Sequence, residues 1–235
     1  MLLYEGKAKK IYETDDPEIV RIAYKDEATA YNAVKKANII GKGKLNNTIT
    51  SLLFDLLRKA GIESHFVEKI SETEQLVKRV TIIPLEVVVR NTVAGSLSKR
   101  LGIEEGTKLE QSLVEFYYKN DDLGDPLITE DHVAVLKAAT PEQVSELKQK
   151  AKKVNEVLTG LFAEIGIELV DFKLEFGVTP SGEILLADEI SPDTCRLWDK
   201  ETREKLDKDV FRRDLGDLTT AYGEILSRLE AANHV

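Results

Sequence analysis

Glu168–Asp199 reads ELVDFKLEFGVTPSGEILLADEISPDTCRLWD, and the way this stretch alternates decides the fold. Strand periodicity puts Val170, Phe172, Leu174 and Phe176 on one face, to pack in a core. The opposite face then carries Asp171, Lys173 and Glu175, each about 7 Å from the next at the strand rise. Thr179-Pro180-Ser181-Gly182 is a turn signal, and Glu183–Ile190 follows as the return strand. A turn of two or four residues places Lys173 opposite Asp188, with Glu175 a diagonal neighbour of Asp188 at about 7–8 Å. An odd turn length places Glu189 there instead. Carboxylates around one lysine suit a hard divalent cation with a polyphosphate. The same pattern also fits a solvated strand face with an ordinary salt bridge. On the cation-site reading, removing one acid such as Asp188 from the carboxylate cluster is expected to raise stability by relieving like-charge repulsion.

The segment that follows places an acid, an arginine and the only tryptophan at the end of the acidic strand: Asp193, Arg196 and Trp198. Arg196 can grip a phosphate or carboxylate through two parallel hydrogen bonds; a surface loop anchored by a half-buried tryptophan is the alternative. Near the N-terminus, Gly6-Lys7-Ala8-Lys9 offers a turn and two lysines that could cradle phosphates, although lysine runs are usually solvated. Gly41-Lys42-Gly43-Lys44 lacks both the spacing of a phosphate-binding P-loop and its trailing Ser or Thr. Arg90-Asn91 and Ala94-Gly95-Ser96 set a cation and a hydroxyl where a substrate phosphate could sit, or else Ser96 caps a helix. Cys195 has no histidine or lysine base beside it in sequence and is expected to be structural.

Working outward, Lys9–Glu13 and Ile19–Tyr24 read as the two strands of a hairpin. A helix is expected over Asn47–Ala60, stopped by Gly61. Ser71-Glu72-Thr73-Glu74 has the form of a capping box and predicts a short helix. Glu86–Asn91 (EVVVRN) reads as a strand buried on both faces, and Asn120–Pro126 as a loop. Thr140 with Pro141 and Gln143 opens the best-defined helix, with an apolar stripe of Val144, Leu147, Ala151, Val154, Leu158, Leu161 and Ile165 that Gly166 ends. A last amphipathic helix carries Leu218, Tyr222, Ile225, Leu226 and Leu229. These elements predict an α+β chain of two interlocked lobes with a cleft. Residues 1–83 are expected to form a mainly β lobe for a nucleotide, and residues 84–235 an α+β lobe for substrate and metal.

With 235 residues and 42% hydrophobic composition the chain can bury a real core. A net charge of −9 argues against non-specific nucleic-acid binding, which needs many cationic phosphate contacts. A single cysteine excludes an internal disulfide framework and a Cys-rich zinc site, and favours a reducing, cytoplasmic setting. His65, His132 and His234 are scattered, with no metal-ligand spacing. No apolar run spans a bilayer, and no signal-peptide core is present.

Six motifs together resemble one family over nearly the whole chain: YEGKAKKIY (Tyr4–Tyr12), KGKLNN (Lys42–Asn47), PLEVVVRN with AGS (Pro84–Ser96), KND (Lys119–Asp121), VDFKLEFG (Val170–Gly177) and DEISPDTCRLWD (Asp188–Asp199). The family is SAICAR synthetase, of purine biosynthesis, and the last two motifs in tandem are highly specific. The resemblance implies a two-lobed fold related to the ATP-grasp and protein-kinase folds. It implies an ATP-dependent ligase that joins L-aspartate to the carboxylate of carboxyaminoimidazole ribotide (CAIR), releasing ADP and phosphate. By the same resemblance Lys7, Lys9 and Lys119 contact ATP, and Glu175 and Asp188 hold Mg²⁺. Arg90, Ser96, Asp171, Lys173 and Arg196 bind CAIR, and Asp193, with Lys173 and Arg196, lies close to the reacting groups. Asn46 and Asn47 are candidates for aspartate, and a homodimer is the expected assembly. Ala33 stands where glycine is expected; if that backbone needs a positive φ, alanine costs stability or shifts the loop. A small-molecule kinase would share the lysines and the metal but stop at a phosphorylated product. A nucleotide-binding regulator would not need the metal acids.

Overall fold

The computed structural model describes residues 1–30 and 34–233, so Ala33 and His234 lie outside the described residues. The chain opens with an antiparallel meander of β1 (Leu2–Glu5), β2 (Lys9–Glu13) and β3 (Ile19–Tyr24), in which Lys9 faces Tyr24 and Glu13 faces Val20 as the hairpin reading expects. A second hairpin, β4 (Glu27–Ala30) and β5 (Lys35–Asn38), leads to α1 (Lys42–Lys59). This helix starts at Lys42 rather than at Asn47, because Gly41 at φ +90° turns the chain directly into it. Its stripe Ile49, Leu53, Phe54 and Leu57 is buried. β6 (Phe66–Lys69) and β7 (Glu74–Lys78) complete a five-stranded sheet in the order β1-β2-β3-β7-β6.

The helix expected from Ser71 is absent. Ile70 and Ser71 both donate to the Glu74 carbonyl, closing the turn between β6 and β7. The Glu74 side chain pairs with Arg21 instead of returning to the cap. The residues after the Ser71–Glu74 signature alternate, with Gln75 and Val77 buried and no apolar stripe of helical period, so the strand wins.

The rest of the chain is organised by one long strand. β8 (Thr81–Ile82) and β9 (Leu85–Thr92) precede α2 (Gly95–Leu101), β10 (Lys108–Tyr118), a 3-10 turn at Asp121–Leu123, β11 (Leu127–Ile128), α3 (Glu130–Leu136) and α4 (Pro141–Glu164). Next come β12 (Ile167–Val178), β13 (Ile184–Ala187), β14 (Cys195–Asp199), α5 (Asp209–Arg212) and α6 (Leu218–Asn233). β12 pairs on one edge with β9 and then β8, and on the other with β14 and then β13. Helices α1, α4 and α6 bury their stripes against the apolar face of this sheet in one core. Among the described residues no helix is long and apolar enough to cross a membrane.

Three local expectations change by one residue or one face. β12 carries a bulge: Leu169 faces Leu197, but Asp171 faces Arg196, so Val170 is extra. Val170 therefore leaves the face of Phe172, Leu174 and Phe176 and packs with Ala94 and Trp198. The β12–β13 turn is odd in length, since Val178 pairs with Ile184 and Glu175 with Ala187, which shifts the favoured register by one. β9 is not buried on both faces either. Leu85, Val87 and Val89 face the core, whereas Glu86 and Val88 are half-buried on the other side, where Arg90 also lies.

α4 carries the capping box its sequence announces. Thr140 Oγ1 accepts from the Gln143 N–H at 3.2 Å, and Gln143 Oε1 accepts from the Thr140 N–H at 2.9 Å. Its buried stripe ends on Phe162, with Leu161 only half-buried. Thr140→Ala should lower stability by about 1 kcal/mol, the usual cost of a lost cap. Thermal unfolding should show this as a fall of roughly 2–4 °C for a chain of this size.

Candidate functional site

The site lies where the edge of β12 changes partner. β14 covers Ile167–Phe172 and β13 covers Glu175–Val178. Between them the connecting segment 188–194 comes in, and the Lys173 N–H donates to the Thr194 carbonyl at 2.9 Å. Asp188, the first residue after β13, adopts φ +59°, the left-handed region that L residues other than Asn and Asp rarely enter. Its carboxylate forms a short ion pair with Lys9 and lies 3.6 Å from Lys173 Nζ. Lys173 Nζ is also 2.6 Å from Glu175 and 3.1 Å from Glu86, and Lys119 is 3.0 Å from Glu175. Asp188 thus joins Lys173 and Glu175 as expected, by a left-handed turn and not by ladder register. Glu189 is there too, 3.2 Å from Lys9, its other oxygen accepting from Ser191 Oγ at 2.9 Å. Lys7, expected beside Lys9, instead pairs with Asp121 at 2.6 Å on the exposed rim.

Charge holds this cluster together. Burial opposes the charge on Lys9, but Asp188 and Glu189 outweigh it and hold the ammonium well above the ordinary lysine range. Lys173 is held high in the same way by Glu175, Asp188 and Glu86. Burial opposes the charge on Asp188, yet Lys9 and Lys173 keep its carboxyl far below the usual range. The expectation that removing Asp188 relieves repulsion is therefore overturned: the lysines, not the acids, are its dominant neighbours.

A second cluster sits on the bulged end of β12. Asp171 lies between Arg90 on β9 and Arg196 on β14, facing both across the ladders. Its Oδ2 accepts from Arg90 Nη1 at 2.7 Å and Arg196 Nη1 at 3.0 Å. Arg90 also donates to Glu115 (2.8 Å), Ser96 Oγ (3.1 Å) and Tyr117 Oη (3.0 Å). Ser96 is thus no helix cap; Ala94 holds that position without a side-chain bond. Arg196 Nε donates to Asp209 at 3.0 Å. Burial works against the Arg196 charge, but Asp171 and Asp209 hold it above its ordinary value. Gly95, at φ +54°, lies under the Arg196 guanidinium, and any Cβ there would collide with it. Buried Asp207, next to Asp209, is pushed up to about 7, first by desolvation and then by that neighbouring carboxylate.

Asp193, expected near the reacting groups, has a side chain only 5% exposed and both oxygens engaged. Lys42 Nζ is 2.7 Å away, the Tyr222 hydroxyl donates at 2.5 Å, and Lys208 is 3.9 Å away. The Asp193 carboxylate thus pins the first turn of α1 to α6, a positioning arrangement. Desolvation raises its pKa, but Lys208 and Lys42 carry it well below the ordinary range. Asn47 donates to the carbonyls of Ser71 and Glu72 at 3.1 and 3.0 Å and so braces the β6–β7 turn. Asn46 is buried, with no partner for its Oδ1. Cys195 is buried, and desolvation pushes its thiol up, as the structural reading expects.

Several of these groups carried no local signal. Lys208, Asp209, Glu115 and Tyr117 are brought in from distant segments. Glu86 was accessible in principle, since β9 alternation places it on the Arg90 face.

Glu175 and Asp188, with Glu86 and Glu189 beside them, are hard oxygen donors at this cluster. No group of three or more His, Cys, Asp or Glu side chains forms a ready-made cage among the described residues. A pair of carboxylates such as Glu175 and Asp188 is the donor set that Mg²⁺ takes, its remaining positions being filled by phosphate oxygens and water. Two clusters of lysines and arginines threaded with carboxylates thus lie side by side along one strand. A family model described as SAICAR synthetase matches residues 2–229. The phosphoribosylaminoimidazole-succinocarboxamide synthase of Bacillus subtilis (strain 168) is 66% identical over 234 residues, covering 100% of this chain and 97% of that protein. The crystal structure of the synthase from Ehrlichia chaffeensis has a TM-score of 0.96 at 47% identity, covering 98% of this chain and 99% of that one. A SAICAR synthetase in complex with ADP has a TM-score of 0.93 at 50% identity, covering 96% of each chain. The chain belongs to the SAICAR synthetase family.

The Asp193 pair makes a stability prediction. Asp193→Asn leaves Lys42, 1% exposed, without its counter-charge. Breaking a buried pair in this way should cost about 3–5 kcal/mol at neutral pH. Because the folded pKa of Asp193 is depressed, its contribution is present above the unfolded value of about 4 and is lost as pH falls below that. Urea titrations of the two proteins at pH 7 and pH 3 should therefore show the gap narrowing in acid.

Proposed function

We propose that this chain catalyses the ATP-dependent ligation of CAIR and L-aspartate to SAICAR, ADP and phosphate in de novo purine biosynthesis. The single observation that carries the reading is the pair of clusters on β12, Lys9–Lys119–Lys173 and Arg90–Arg196, within one strand segment of a family member. Asp171 and Lys173 lie two residues apart on this strand, about 7 Å, so two bound anions are held within reacting reach.

The roles follow from that placement. Lys9, Lys119 and, at the rim, Lys7 exchange carboxylate partners for ATP phosphate oxygens. Glu175 and Asp188 hold Mg²⁺, which when bound offsets the charge of the phosphates. Arg90, Ser96, Asp171 and Arg196 orient CAIR, and Lys173 stands between the two ligands. An oxygen of the CAIR carboxylate attacks the γ-phosphorus, and the bond to the bridging oxygen breaks to release ADP. The resulting acyl phosphate is attacked at carbon by the aspartate amine, which loses a proton as phosphate departs. Lys173 and Arg196 supply positive charge where negative charge accumulates, so catalysis is largely positioning and electrostatics. Asp193 acts at one remove, by placing Lys42 and Lys208.

We further propose a division into a nucleotide lobe of residues 1–83 and a substrate lobe of residues 84–235, supported by the five-stranded sheet formed wholly within residues 2–78. A cytoplasmic homodimer is the proposed assembly, with exposed Leu113 and Leu127 on β10 and β11 as apolar surface that a second copy would cover.

The deciding measurement is ADP release with each substrate omitted in turn. Release should need both CAIR and aspartate; release without aspartate would indicate a kinase, and none at all a regulator. Asp188→Asn should lower turnover by at least ~100-fold, the scale of losing one preorganised electrostatic group, with partial recovery in excess Mg²⁺. Arg196→Lys keeps charge but loses the planar fork. It should raise the apparent KM for CAIR much more than that for ATP or aspartate, and equal changes would argue against direct contact.

A further inference from the structure

We propose that His65 is a positioning residue for nucleotide-bound Mg²⁺: its imidazole holds the left-handed backbone of Asp188 that turns the Asp188 carboxylate toward Lys9 and Lys173. This rests on the reading of Asp188 as a metal ligand.

The ladder of β13 ends at Ala187, and Asp188 follows at φ +59°. In the extended conformation the alternation of the strand would send the Asp188 side chain elsewhere. The left-handed conformation carries a steric cost and persists only where its surroundings hold it. His65 Nε2 lies 3.2 Å from the Asp188 carbonyl oxygen. A carbonyl only accepts, so this bond requires the tautomer with the proton on Nε2.

His65 is itself fixed. Its N–H donates to the Leu186 carbonyl at 2.8 Å, and its carbonyl accepts from the Lys78 N–H at 2.7 Å. Ser64 bridges to Leu186 alongside β13. The ring stands edge-on to Phe54 of α1, with centroids 5.8 Å apart at 87°. A side chain with a fixed backbone, a packed ring and one donor aimed at the carbonyl of a left-handed residue can hold that residue's conformation. Nothing in the proposed chemistry otherwise uses this buried histidine.

The test is calorimetric titration of ADP, with and without Mg²⁺, which reads binding and not turnover. His65→Phe keeps the ring and its packing but removes the donor. It should cut the Mg²⁺-dependent gain in ADP affinity by roughly tenfold, the low end for losing a group that orients a metal ligand, while Mg²⁺-free ADP binding stays unchanged. His65→Gln, whose amide reaches as far as Nε2, should keep most of the gain. His65→Asn, too short to reach, should lose it, and this polar pair carries the test if His65→Phe does not fold. In an Asp188→Asn background, His65→Phe should add nothing. If Asp188→Asn abolishes the gain while His65→Phe and His65→Asn retain it, the His65 proposal is wrong and the metal reading stands. If Asp188→Asn itself retains the gain, the metal reading fails and the proposal with it.

Discussion

The constraint on which the structure depends is that β12 cannot keep one partner along its whole length. A single strand facing β12 from Ile167 to Val178 would present only ladder backbone to Lys173. Instead β14 and β13 divide the edge, and the chain joining them crosses beside Lys173. The interruption leaves room for the Asp188–Thr194 segment to bring Asp188, Glu189 and Asp193 into the neighbourhood. The opposite edge stays rigid, with β9 supplying Glu86 to one cluster and Arg90 to the other. A central strand paired on both sides is well suited to hold charges in place, because its backbone has little freedom to relax them apart.

Periodicity made the framework legible. The stripe of α4 as far as Leu158, its Thr140 capping box and the opposed faces of Phe172–Phe176 and Lys173–Glu175 are present as read. Periodicity fails where one residue is inserted or one turn has an unforeseen length. The Val170 bulge and the odd β12–β13 turn are both shifts of this kind, and neither changes composition. The shifted register extrapolates to Glu189 opposite Lys173, yet Asp188 still reaches the lysine, because its own left-handed backbone breaks the ladder. The right residue was reached by a pairing that does not exist. Ser71–Glu74 shows the complementary error, a capping signature with no helical stripe behind it.

For the site, residue types were more legible than their partners. Arg90 and Arg196 could each be read as anion-handling groups and Asp171 as an acid on the polar strand face, but Asp171 lying between the two arginines is a fact of strand pairing between distant segments. Lys42 shows the limit most clearly. Its glycine-flanked motif lacks the spacing of a phosphate loop, and nothing in it points to Asp193, against which its ammonium is buried and through which α1 is tied to α6. Nothing local distinguishes a lysine that meets a ligand from one that meets an aspartate more than a hundred residues away.

The ion-pair pattern also bears on how the site is filled. Around the break in β12, Lys9, Lys119 and Lys173 face Glu86, Glu175, Asp188 and Glu189, so the acids outnumber the lysines. A bare polyphosphate entering this cluster would compete with carboxylates for each lysine and would leave the displaced carboxylates uncompensated, a heavy penalty where exposure is low. The chain's net charge of −9 adds a weak repulsion at long range. Under the proposed function, a divalent cation bound with the nucleotide would remove the conflict, because the carboxylates freed from lysine would gain a counter-ion as the lysines gained phosphate. The exchange works only if two carboxylates converge on one point after the lysines let go. Glu175 is carried there by the ladder, and Asp188 by a single left-handed residue.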